Sequence, residues 1–103
     1  MRRPDECRDM QDVRAEIDRI DKEVIRLLGQ RFAYVQAASQ FKTSATSVRA
    51  PERFTAMLEQ RRAWAQAAGL DGGVIENMYR ELVNYFIEEE MKKWQSETQD
   101  NPS

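Results

Sequence analysis

The sequence has no histidine, one cysteine, four glycines and three prolines in 103 residues, and each scarcity removes a class of chemistry or structure. Without histidine there is no Ser-His or Cys-His nucleophile system, and carboxylates, lysine and tyrosine remain as the common acid–base groups. The lone Cys7 cannot close an internal disulfide and has no neighbours at zinc-site or redox-pair spacing. A reducing setting suits it, and a cytoplasmic location is expected. Glycine and proline are too sparse for a phosphate-binding loop or a domain linker, and no repeat or strand-like alternation appears. No apolar run approaches the length that crosses a bilayer, and MRRPDECRDM lacks the apolar segment of a secretory signal, so no membrane partner is expected. An excess of positive charge is missing too. With 16 basic against 18 acidic residues the net charge is -2, and no global field draws in nucleic acid. No cluster of metal ligands stands out, and neither a metal nor a cofactor is expected.

What is present is helical patterning. An apolar share of 41 % beside a charged share of 33 % suits amphipathic helices in one folded domain rather than disorder. From Asp9 to Lys42 the apolar residues Met10, Val13, Ile17, Ile20, Val24, Leu27, Tyr34, Ala38 and Phe41 form a heptad stripe, so the spacing predicts one long helix over 9–42. Such a helix runs roughly 50 Å, against about 26 Å across a compact chain of this size. Two shorter helices cannot cover the whole stripe, and a second copy lying alongside is expected. TSATSVRA, residues 43–50, reads as a loop ending at Pro51, a residue suited to the first position of a helix. A second helix is predicted over 51–68, with Phe54, Met57, Leu58 and Ala65 on one side and Gly69 as its stop. A third is predicted over 72–95, capped by Asp71 and carrying Ile75, Met78, Leu82, Tyr85, Phe86, Met91 and Trp94. The expectation is thus an all-α chain of three helices, one domain over 9–95, with an N-terminal extension 1–8 and a polar tail 96–103.

Several charges sit where an apolar residue belongs. Arg31 takes a heptad position that Met10, Ile17, Val24 and Ala38 fill elsewhere. Either a buried ion pair or an anionic ligand can account for it. Lys42 lies eleven residues on, about 20° around a continuous helix, and helical side chains lean toward the N-terminus, so both cations could touch one small molecule. Arg14 is seventeen residues before Arg31, about 25 Å along the axis, and cannot join that pocket from the same chain. It is either a solvated residue beside Asp18 or Asp21, or a group that an antiparallel partner helix delivers. Glu90, four residues after Phe86 and eight after Leu82, points to the apolar side, which calls for a salt bridge or a special role. Arg53 opposes the dipole of its helix from the first turn, as either a surface residue or a ligand for an anion beside the loop.

The segment DVRAEIDRIDKEVIRLLGQR, with Lys42 following, resembles the long first helix of the AroQ-type chorismate mutase family. The resemblance extends over most of the chain and is closest to the family's isochorismate pyruvate lyases of salicylate and siderophore pathways, in AASQFK, APERFTAML and WAQAAGLD. It implies an intertwined homodimer acting on a small dicarboxylate, isochorismate or chorismate. Arg14 of the partner chain and Arg31 would hold the two carboxylates, for which a planar two-pronged donor is suited. Lys42 would hydrogen-bond the ether oxygen at the breaking bond. Arg53 would belong to the segment closing over the ligand, and Val35, Ala38, Met57 and Ile87 would line the apolar walls. The implied reaction is pericyclic and needs no nucleophile.

Two departures qualify the resemblance. Glu90 stands where the lyases and many bacterial mutases carry glutamine; ionised, it would only accept hydrogen bonds and repel, so it is expected to be protonated or paired with Lys42. Phe54 follows Arg53 where typical mutases carry a glutamate for the ring hydroxyl, which favours the lyase. The expected function is therefore an isochorismate pyruvate lyase with secondary chorismate mutase activity. A dedicated chorismate mutase is the alternative. A non-catalytic helical dimer that kept the scaffold as an interaction module is the second alternative.

Overall fold

The computed structural model describes residues 1–99, and every regular element among them is helical. A 3-10 turn over Pro4–Glu6 precedes α1, Met10–Ala38. The heptad stripe sustains α1 for 29 residues, but α-helical bonding stops at Ala38, short of the Lys42 end that the sequence predicts. A 3-10 turn, Ser39–Phe41, follows. There the hydroxyl of Ser39 donates to the Gln36 carbonyl at 2.7 Å, satisfying an acceptor that a helix end leaves open, and the tighter turn releases Lys42 into extended backbone (φ -90, ψ 139).

The stretch expected as a loop contains a short helix, α2, Ala45–Arg49. Two serines cap it reciprocally: the Ser47 amide donates to the Ser44 hydroxyl at 3.1 Å, and the Ser44 amide to the Ser47 hydroxyl at 3.1 Å. Ala50, in the left-handed region at φ 39, turns the chain directly into α3, Pro51–Ala67, which starts at proline as predicted. At its end Leu70 N–H bonds the Ala65 carbonyl and Gly69 N–H the Gln66 carbonyl, a Schellman stop that uses the positive φ of Gly69 (81). Asp71 then caps α4, Gly72–Gln99, its Oδ1 accepting from the Val74 amide at 3.0 Å. α4 continues beyond residue 95, so Ser96 to Gln99 of the expected tail are helical; residues 100–103 lie outside the described residues.

The chain divides into two compact units, Met1–Ala33 and Tyr34–Ser103. In the first, local ion pairs decorate α1: Arg19 Nε with Glu16 at 2.8 Å, Arg26 with Glu23, and Arg2 with Asp12. Hydrogen bonds from Arg19 and Arg26 hold the Glu16 and Glu23 carboxyls below the ordinary glutamate range. The apolar stripe of this unit is exposed, from Met10 and Val13 through Ile17, Ile20, Val24 and Leu27. In the second unit α3 lies along α4, and α2 and the 3-10 turn pack on α4 as well. The core forms there from Met57, Leu58 and Val83, with Phe54, Tyr79 and Ile87 packed against them. Met78 and Tyr85 of the third predicted helix remain exposed.

Candidate active site

Within the second unit, the segment after the 3-10 turn and the C-terminal half of α4 place Lys42 near Glu90. Glu90 points inward, as its spacing after Leu82 and Phe86 predicts, and is 3 % exposed. Burial raises its carboxyl above the ordinary glutamate range, and the nearby Lys42 charge partly opposes that rise. Among the described residues the two form no ion pair. The half-buried Lys42 ammonium instead donates to the Ser47 carbonyl at 3.0 Å.

The backbone at Lys42 is held from α4. The Trp94 indole N–H donates to the Lys42 carbonyl at 3.1 Å, and the Lys93 ammonium reaches the Gln36 carbonyl at 3.2 Å. Chemically, an ammonium and a protonated carboxyl are both hydrogen-bond donors of the kind that an anionic or ether oxygen accepts.

The other predicted residues divide between the units. Met57 is buried and Ile87 half-buried in the same apolar cluster. Val35 and Ala38 are half-buried in the last turns of α1, and Arg53 is exposed in the first turn of α3. Arg14 and Arg31 belong to the first unit, where Arg14 is exposed and Arg31 half-buried. They lie on one uninterrupted helix, about 25 Å apart along its axis, so a single copy cannot bring both to one small molecule. Lys42 does not continue α1, so the offset of about 20° from Arg31 expected of a continuous helix does not apply across the intervening 3-10 turn.

A surface hollow on α3, lined by Pro51, Glu52, Thr55, Ala56 and Glu59, carries two carboxylates and no cation, which suits no dicarboxylate. Among the described residues no group of three His, Cys, Asp or Glu side chains stands where it could hold a metal ion. No described helix is long and apolar enough to cross a membrane.

Sequence reasoning missed Ser47 and Trp94. Trp94 read as one more apolar residue of the third helix, and nothing in a stripe announces a hydrogen bond to a carbonyl 52 residues away. Ser44 and Ser47 had a visible signal, the three-residue spacing of a capping box, inside a segment whose small polar residues otherwise read as loop.

A profile of the family described as chorismate mutase type II matches residues 13–91. The chain belongs to that family. The match runs across both units and includes Arg14, Arg31, Lys42, Arg53 and Glu90, so the type II chorismate mutase pattern spans the residues singled out above. Among curated relatives, the chain is 42 % identical over 94 residues to the isochorismate pyruvate lyase of Pseudomonas aeruginosa, covering 91 % of this chain and 93 % of that protein. It is also 36 % identical over 75 residues to the T-protein of Haemophilus influenzae, covering 72 % of this chain but only 20 % of that longer protein.

Proposed function

We propose that this type II chorismate mutase family member is an isochorismate pyruvate lyase that works as an intertwined homodimer. The observation that carries the reading is the 42 % identity to the Pseudomonas aeruginosa protein of that name over 91 % of the chain. The meeting of Lys42 with a buried Glu90 of raised proton affinity supports it, because the reaction gains most from donors at one oxygen.

Isochorismate carries two carboxylates and an enolpyruvyl ether. The enolpyruvyl group folds over the ring, a ring hydrogen passes to its terminal methylene carbon, and the ring carbon–oxygen bond breaks. Pyruvate leaves and the ring becomes aromatic salicylate, with every atom of the substrate accounted for. Lys42 exchanges the Ser47 carbonyl for the ether oxygen, where negative charge grows, and protonated Glu90 gives a second hydrogen bond. Arg31 and Arg14 of the partner chain hold the carboxylates, and Arg53 closes over them. Val35, Ala38, Met57 and Ile87 press on the apolar faces and favour the folded conformer, so catalysis comes from orientation and electrostatic stabilisation.

The dimer is supported by α1. Ile17 is 50 % exposed and Val24 47 % in the single chain, a continuous apolar stripe of the kind that a second copy covers in a coiled-coil-like seam. The same pairing can deliver Arg14 to the other chain's Arg31.

The test supplies isochorismate and chorismate separately at several pH values from 5 to 8. Salicylate and pyruvate from isochorismate are expected, with turnover rising as pH falls and Glu90→Gln flattening the profile. Identical profiles for wild type and Glu90→Gln would remove the proton from the mechanism. The family description favours a second reading, a dedicated mutase, and prephenate from chorismate without salicylate would establish it. No product from either substrate would leave a helical interaction module.

A further inference from the structure

We infer that Trp94 is a positioning residue for Lys42, a role that rests on the lyase reading above. Lys42 leaves the 3-10 turn in extended backbone, where its carbonyl has no helical donor and needs another. The Trp94 indole, which can only donate, supplies one at 3.1 Å from a half-buried position. On the other side of the same peptide group the Thr43 amide donates to the Ser47 hydroxyl at 3.3 Å, and in the preceding peptide group the Lys42 amide donates to the Ser39 carbonyl at 3.2 Å.

These last two bonds span five residues or fewer and hold the segment only to itself. The Trp94 bond ties it to α4, the helix that carries Glu90. Trp94 lies four residues after Glu90, so both project from one face of α4, one toward the lysine's charge and the other onto its backbone. Other polar ties to α4 on either side of Lys42 include the Lys93 ammonium on the Gln36 carbonyl and Arg49 with Glu88 at 3.5 Å. Both use exposed charges, which solvent screens. A lysine stem has four rotatable carbons, so where its ammonium can reach depends on how firmly its backbone is held relative to Glu90.

The test is Trp94→Phe in the full chain, with benzothienylalanine at position 94 as the isosteric control that keeps the bicyclic shape and removes the N–H. Both should fold, and kcat should fall about tenfold to a hundredfold while KM moves less than about twofold, as expected for a displaced catalytic group. In a Lys42→Met background the same change should alter kcat by less than about twofold, because the effect runs through Lys42. The indole N–H of Trp94 should exchange slowly with solvent, separable from that of Trp64, the other tryptophan, which is 56 % exposed. An active wild type whose benzothienylalanine form keeps full kcat, an equal loss in both backgrounds, or a fast-exchanging Trp94 indole would each overturn the role of Trp94 alone. A wild type that converts neither substrate would overturn the lyase reading and this role together.

Discussion

In residues 34–103 the apolar side chains of α3 and α4 bury one another, whereas in residues 1–33 an equally apolar stripe stays open to solvent. Leu58 and Phe86 are each 4 % exposed; Ile20 and Leu27 are 49 % and 48 % exposed. The two regions therefore hold their helices by different means. α3 and α4 are held by burial, which contributes about 1.5–3 kcal/mol for each fully covered aliphatic side chain. The first unit has short-range ion pairs on exposed faces, which contribute little, and an apolar face still to be covered. The proposed second copy would supply, by covering this face of α1, the burial that the single chain lacks.

The largest effects should come from truncating one apolar side chain in each region. Leu58→Ala is expected to cost about 2–5 kcal/mol in denaturant unfolding. If a second copy covers α1, Ile17→Ala should cost a comparable amount and make the unfolding midpoint depend on protein concentration. A loss under about 1 kcal/mol that ignores concentration would break the comparison, leaving α1 without a partner.

Next in size, Lys42→Met should lower turnover about a hundredfold, equivalent to about 2.7 kcal/mol in the barrier, and leave the unfolding midpoint unchanged. A parallel loss of stability would mean that the lysine belongs to the packing of the second unit rather than to its chemistry.

Smaller again is the pH dependence of stability at Glu90. Burial raises its carboxyl above the unfolded value, so the native chain holds that proton more tightly than the unfolded chain does. Stability is then greatest below the unfolded value and is lost as pH rises through the native one. Glu90→Gln should accordingly gain over wild type in thermal unfolding as pH rises and show no advantage below the unfolded value. A gap that narrows with rising pH would contradict the burial. The smallest effect belongs to Glu23→Gln in the first unit. It breaks the pair with Arg26 on an open helix face and should lower the unfolding midpoint only slightly at neutral pH, a difference that vanishes as pH falls and the carboxyl is protonated.

Most of the helical frame was legible because periodicity and end signals agree along it. Pro51, Gly69 and Asp71 mark ends that the hydrogen bonds reproduce. The misses fall where local bonding competes with periodicity. Ser39 tightens the end of α1, paired serines build α2 in a segment of weak helix formers, and α4 runs through the polar residues after Trp94. At the candidate site, Glu90 was legible because an acid at an apolar position of a helix contradicts its own pattern. The Lys42–Ser47 and Lys42–Trp94 bonds were not, since the first depends on a turn that departs from the helix and the second joins residues far apart in the chain.

By itself the sequence determined the three long helices, the inward acid and the overlong apolar stripe, because these follow from the spacing of side chains along a single helix, which chain geometry alone sets. Only the folded structure decided that a 3-10 turn takes Lys42 out of the helix, that its ammonium rests on Ser47, and that α4 holds its backbone through Trp94. The first two turn on local bonds that compete with helical periodicity, and the third on packing that brings residues 52 apart within hydrogen-bond reach, which no local spacing encodes.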